Sequence, residues 1–164
     1  MKKILHSVCE SKVPMPADKL DLPSWLFNLS DTEYQACSKA HIGAGASILP
    51  NGKQTSVNVE SAGGHLFVQH YIPEILTPHH IKMVSDSDCW IYKLWHVKLK
   101  VIWNIKLTPK SDGTTIFRNE VVLEHPSSIM KLLIKLSFGQ MFLERHNIEE
   151  TPLFAKNMFE KFRA

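Results

Sequence analysis

The chain has 164 residues, 44% of them hydrophobic and 21% charged, a size and composition that fit one domain around a single core. Its net charge of +3 comes from 19 basic and 16 acidic residues spread along the chain, which excludes the clustered stripe of a nucleic-acid binder. Cys9, Cys37 and Cys89 are widely separated and form no C-x-x-C pair, so a disulfide framework and a cysteine zinc site are excluded as well.

The N-terminal apolar stretch is interrupted by His6 and ends at Glu10, too short for a signal-peptide core. No window approaches the ~20 apolar residues of a membrane span, and the expectation is a soluble, cytoplasmic protein. Residues 1–30, punctuated by Pro14, Pro16 and Pro23, show no sustained period and are expected to form an N-terminal arm with at most one short turn of helix. Ser30 precedes Glu33 by three residues, a capping-box spacing that predicts a short helix ending before Gly43.

From there the period changes to two. Asn51-Gly52 predicts a hairpin turn between extended runs at 41–49 and 53–60, and Gly63-Gly64 precedes a second pair of runs. Over 65–72 one face carries Leu66, Val68, His70 and Ile72, and the other His65, Phe67, Gln69 and Tyr71, so His70 is expected to share a buried face with aliphatic residues. Alternation from Ile91 through Trp95, Val97, Val101 and Trp103 to Leu107 predicts one long strand, or two joined by a bulge. Lys98, Lys100 and Lys106 lie on its wet side. A turn at Ser111-Asp112-Gly113 leads to a strand with Thr115, Phe117, Asn119, Val121 and Leu123 on one face and Arg118, Glu120 and Glu124 on the other. From Pro126 onward the pattern is helical, and Thr151-Pro152 predicts a kink or a fresh helix start. The expected layout is a single domain, 1–164, with an arm (1–30), an antiparallel sheet (40–125) and a C-terminal helical segment (126–164) kinked at Pro152.

Antiparallel strands followed by one long amphipathic helix imply an α+β domain whose helix covers one face of a curved sheet. This element order resembles the helix-grip fold of the START lipid-transfer domains, the birch-pollen allergen family and bacterial polyketide cyclases. The resemblance implies a ligand cavity between sheet and helix.

Projected at 100° per residue, the C-terminal segment places Leu132, Leu136, Gly139, Leu143, His146 and Glu150 on one stripe, continued by Leu153, Phe154 and Asn157. A buried carboxylate needs a partner or a metal, and the plainest reading of this pair is an imidazole–carboxylate hydrogen bond. The alternative is metal: His146 and Glu150 offer nitrogen and oxygen ligands one turn apart, and either His70 or a second carboxylate from the sheet completes the site. Such an ion, zinc by ligand type, would polarise a substrate carbonyl. The run His146-Asn147-Ile148-Glu149-Glu150 resembles the C-terminal helix motif of the 2,4-diacetylphloroglucinol and phloretin hydrolases, and Leu94-Trp95-His96 resembles a segment of the same family. Those enzymes cleave a carbon–carbon bond beside a ketone with zinc held by two histidines and two glutamates. The resemblance implies His146 and Glu150 as helix ligands, with His70 and Glu120 as candidates for the others, although Glu120 has outward parity.

Without a metal, His70 and Asn119 form the candidate catalytic pair, with His70 as general base for an enolisable substrate. His79, His80, His96 and His125 are read as solvated or linker residues, and His41 is compatible with either orientation. The expected function is a small-molecule enzyme acting on an aromatic or polyketide-like carbonyl compound, by metal-assisted C–C hydrolysis. A metal-free cyclase or isomerase, or a carrier for a hydrophobic ligand, is the alternative. The expected partner is a hydrophobic small molecule, with no nucleic acid and no membrane span, and a homodimer is left open.

Overall fold

The alternation seen from His41 to His125 becomes six strands, and the segment before it supplies a seventh. The computed structural model describes residues 1–136 and 138–163, and all their side chains except those of Met130 and Lys135. The strands are β1 (Lys2–Val13), β2 (His41–Ile48), β3 (Gln54–Ala62), β4 (His65–Thr77), β5 (His80–Ile91), β6 (Trp95–Pro109) and β7 (Thr115–His125). They form one antiparallel sheet in the order β1-β7-β6-β5-β4-β3-β2, so the first strand lies beside the last. Helices α1 (Leu22–Phe27) and α2 (Asp31–Gln35) connect the two edge strands, and α3 (Ser128–Leu136) and α4 (Gly139–Phe162) follow the sheet. None of the helices described is long and apolar enough to cross a membrane.

Segment 1–30 is therefore not an arm. Twelve of its residues form β1, which pairs with β7 from Lys2↔His125 to Val13↔Thr115, and α1 follows with Asp21 as its cap. The alternation is hidden because the inward positions Ser7 and Cys9 are small or weakly polar rather than aliphatic. A second departure lies at 91–95, where the apparent continuous alternation runs across a tight turn. Tyr92 and Lys93 adopt φ of 47° and 60°, and Leu94 donates its backbone N–H to the Ile91 carbonyl. This type I′-like geometry separates β5 from β6 without an Asn or Gly to announce it.

Extra residues at Ile4, Ile42 and Glu74 break the ladders of β1, β2 and β4, and such bulges bend and re-aim strands. The bulge in β2 sets His41 directly opposite Glu60 of β3.

Helix α4 runs unbroken through Pro152, and no new helix begins at Thr151. Pro152 and Ile148, whose carbonyl loses its donor, both lie on the exposed side, where water replaces the bond. The break falls earlier, at the left-handed Phe138 (φ 58°, ψ 22°), so one projection does not carry across 126–164. Leu132 and Leu136, expected inside, are exposed on α3, and Leu153 is also exposed. Within α4 the buried side is formed by Asn147, Glu150, Thr151, Phe154, Ala155 and Met158.

The core fills one end of the curved sheet. Trp25 of α1 meets Phe117 of β7 and Phe154 of α4 edge to face, with ring centroids 5.8 and 5.5 Å apart, and its indole N–H donates to Asn157. At the other end the first turns of α4 and all of α3 stand over the sheet without filling it.

Candidate functional site

The unfilled end is a cavity of about 330 Å³ between the sheet and α3–α4. Its walls are mainly apolar, with Leu99, Val101 and Trp103 of β6, Leu123 of β7 and Leu143 of α4 among them. Tyr92, Trp95 and Leu133 border it while remaining exposed, which places its mouth between the β5–β6 turn and α3. Polar groups gather at the inner end, where Tyr34, Glu60, His146 and Glu150 line the wall.

Four short stretches of chain build that end. The Ser30–Glu33 capping box forms α2 as expected and fixes Tyr34 one residue later. The Tyr34 carbonyl accepts from His41 Nδ1 at 2.6 Å, and the two rings stack 3.8 Å apart, so both the position and the plane of the imidazole are set. The Tyr34 hydroxyl donates to Glu60 Oε1 at 2.6 Å, and burial, then the Glu60 charge, keep this phenol well above its ordinary pKa and hence protonated. From α4, His146 Nε2 lies 3.2 Å from Glu150 Oε2 and 3.6 Å from Glu60 Oε2. His41 Nε2 reaches the same Glu150 oxygen at 3.1 Å.

Glu150 is 4% exposed and fully partnered. Its other oxygen accepts from Asn119 Nδ2 at 2.9 Å, and Asn119 Oδ1 accepts from the Trp103 indole at 2.8 Å. Behind Asn119, Thr151, Asn147 and Ser7 continue the bonding without exposure to solvent. Burial disfavours the Glu150 charge, but His146 and His41 beside it outweigh this and hold the carboxyl below its usual range. Burial likewise disfavours the His146 imidazolium, yet the carboxylates of Glu150, Glu60 and Glu149 raise its pKa to about 9.

Of the residues singled out from sequence, the structure brings together His146, Glu150 and Asn119. Asn119 does not line the cavity; it orients Glu150 from behind, which makes it a positioning residue rather than one that touches a ligand. His70 lies elsewhere. The inward face of β4 is His65, Phe67, Gln69 and Tyr71, so His70 stands exposed on the outer face, between a half-buried Val68 and an exposed Ile72. Both sets were apolar enough to be inside, and the sheet turns the aromatic one inward. Glu120 is also on the outer face, bonded to His6 at 2.7 Å and Asn104 at 2.9 Å.

His41 and Glu60 take the places that His70 and Glu120 do not. His41 was ambiguous because a bulge, which no sequence signal marks, sets its direction. Glu60 could have been found by counting outward from Asn51-Gly52, since it is the second carboxylate that the sheet offers on an inward position.

No protein-family model matches the chain, and no curated protein matches it in sequence. Among solved structures, the chain is similar to the Zhui aromatase/cyclase from Streptomyces sp. R1128, with a TM-score of 0.62, 10% identity and coverage of 97% of this chain and 96% of that one. A protein from Thermus thermophilus matches with a TM-score of 0.59 and 12% identity over 96% of this chain and 97% of that one. A START superfamily protein from Mycobacterium smegmatis matches with a TM-score of 0.52 and 11% identity over 96% and 97% of the two chains. At such identities the likeness is one of fold, and the chain has the helix-grip fold.

Proposed function

We propose that the protein is a small-molecule enzyme in which His41, Glu60, His146 and Glu150 hold a divalent metal, zinc by donor type, at the inner end of an apolar cavity. The substrate class is an aromatic or polyketide-like carbonyl compound, and the reaction is hydrolytic. The reading is carried by one observation: His41 Nδ1 donates to a backbone carbonyl, so the remaining ring nitrogen, Nε2, is the one that faces a carboxylate oxygen 3.1 Å away. Two electron pairs facing each other require a proton or a cation between them, and a carbonyl behind Nδ1 is the usual support of a metal-binding imidazole.

Three of the four donors are spaced for such an ion. His41, His146 and Glu150 each offer one ligand atom, all within 4.8 Å of one another, whereas tetrahedral zinc with bonds near 2 Å spaces its ligands about 3.4 Å apart. Glu60 faces the same group from the sheet. A divalent ion there supplies a Lewis acid that polarises a carbonyl. The chain's own residues do the rest. Tyr34 orients Glu60 and His41, Asn119 orients Glu150, and the apolar wall excludes water and packs against flat or aliphatic parts of the substrate.

The test is metal content of the purified, untagged protein by plasma mass spectrometry, beside His41→Ala and His146→Ala, followed by turnover of acyl-phenols. Near-stoichiometric divalent metal, lost in both variants, supports the reading. Its absence after metal-replete growth overturns the metal site and leaves a metal-free cyclase or isomerase. A second reading, a carrier for hydrophobic ligands, is favoured by the mainly apolar wall. A carrier binds the same compounds without converting them.

A further inference from the structure

Most buried polar side chains of this protein are bonded: Asn119, Asn147 and Thr151, all with zero exposure, find partners within the core. The cavity wall breaks this rule. Gln69, 5% exposed, lines the cavity, and its Oε1 is buried with no hydrogen-bond partner among the described residues. Directly across the β3–β4 ladder is Asn58, also 5% exposed and also on the wall. A buried amide oxygen left unbonded costs more than an ordinary hydrogen bond contributes, so Gln69 calls for an external partner, and Asn58 stands beside it.

Their position says what that partner is. Asn58 and Glu60 are i and i+2 on one face of β3, one strand repeat or about 7 Å apart. That distance is comparable with the span of an aromatic ring from an acyl carbon to a para oxygen. Gln69 Oε1 is untied, and the amide offers oxygen or, turned about its last torsion, N–H. A hydroxyl, which both donates and accepts, satisfies either arrangement.

We propose that Gln69 and Asn58 form a polar subsite that recognises a ligand hydroxyl remote from the carbonyl, and so selects hydroxylated carbonyl compounds over their deoxy analogues. This rests on the cavity being a site for carbonyl compounds, but not on the metal. Sites built to bond a hydroxyl reject ligands that lack one, because their own groups are then left unpaired.

The test is calorimetric titration of the full-length protein with acetophenone and with para-hydroxyacetophenone, for the wild type, Gln69→Leu and Gln69→Met, together with their melting temperatures. The hydroxylated probe is expected to bind at least about tenfold more tightly to the wild type, and the ratio to fall close to one in both variants. Since both substitutions remove an unpaired group, neither is expected to lower the melting temperature. Equal affinities in the wild type, or a preference retained in both variants, overturns the proposal. Failure of both probes to bind overturns the carbonyl-site reading and the subsite with it. Absence of metal alone leaves the tenfold ratio intact, so the two failures are distinct.

Discussion

Asn119 and Glu150 meet across the interface of β7 and α4, the amide N–H donating to Oε1 at 2.9 Å while both histidines address Oε2. The carboxylate is thereby divided between a structural oxygen and a chemical one. Replacing Asn119 by Leu leaves Glu150 Oε1 and the Trp103 indole N–H short of a partner in a fully buried place. A loss of about 3 kcal/mol in unfolding free energy is expected, measurable by urea denaturation. Support residues of this kind also govern metal affinity, so competition with a chelator should show a tenfold or larger weakening in the folded variant.

His41 and His70 make a matched pair for mutagenesis. His41→Ala removes one of the proposed ligands, and bound metal is expected to fall to background. His70→Ala alters an exposed side chain on the outer face and should stay within about 0.5 kcal/mol of the wild type, with metal content unchanged. The reverse pattern would make His70 the ligand and overturn the role of His41.

Acid is expected to act on the fold through Glu33. Burial pushes its carboxyl up, but bonds from the Ser30 backbone, Lys161, the Ser30 hydroxyl and Asn157 prevail and bring the pKa down from 4.5 to about 2. A folded pKa below the unfolded one gives stability that is complete above 4.5 and is lost as pH falls through about 2. Glu33 joins α2 to the last turns of α4, so Glu33→Gln is expected to flatten the acid-denaturation curve between these limits. Unchanged pH dependence in the variant would sink this assignment.

The β5–β6 turn is a place to gain stability. Lys93 is exposed and held at φ 60°, a region costly for a side chain with Cβ. Lys93→Gly should raise unfolding free energy by about 0.5–1 kcal/mol, read as a higher melting temperature.

That turn also shows why sequence reading stopped where it did. The fold was accessible because a period of two recurs between His41 and His125 and Asn51-Gly52 marks one hairpin, and because Ser30 and Glu33 declare α2. The helix half of the site was accessible because His146 and Glu150 are one turn apart among core positions. Three things were hidden. β1 carries Ser7 and Cys9 where aliphatic residues would reveal it, Tyr92-Lys93 turns the chain without turn residues, and the bulge at Ile42 decides the direction of His41. His70 misled because both faces of β4 carry apolar residues, and only the curvature of the sheet decides which of them lines the cavity.

Because β1 has no neighbour but β7, the earliest strand to be made waits unpaired until every other strand has been synthesised. The cluster at the cavity's inner end is equally spread in time, with its first contributors in α2 and β2 and its last in α4. A nascent chain therefore carries His41 and Glu60 without His146 and Glu150, and the capacity to hold an ion or a ligand arrives only with the final helix.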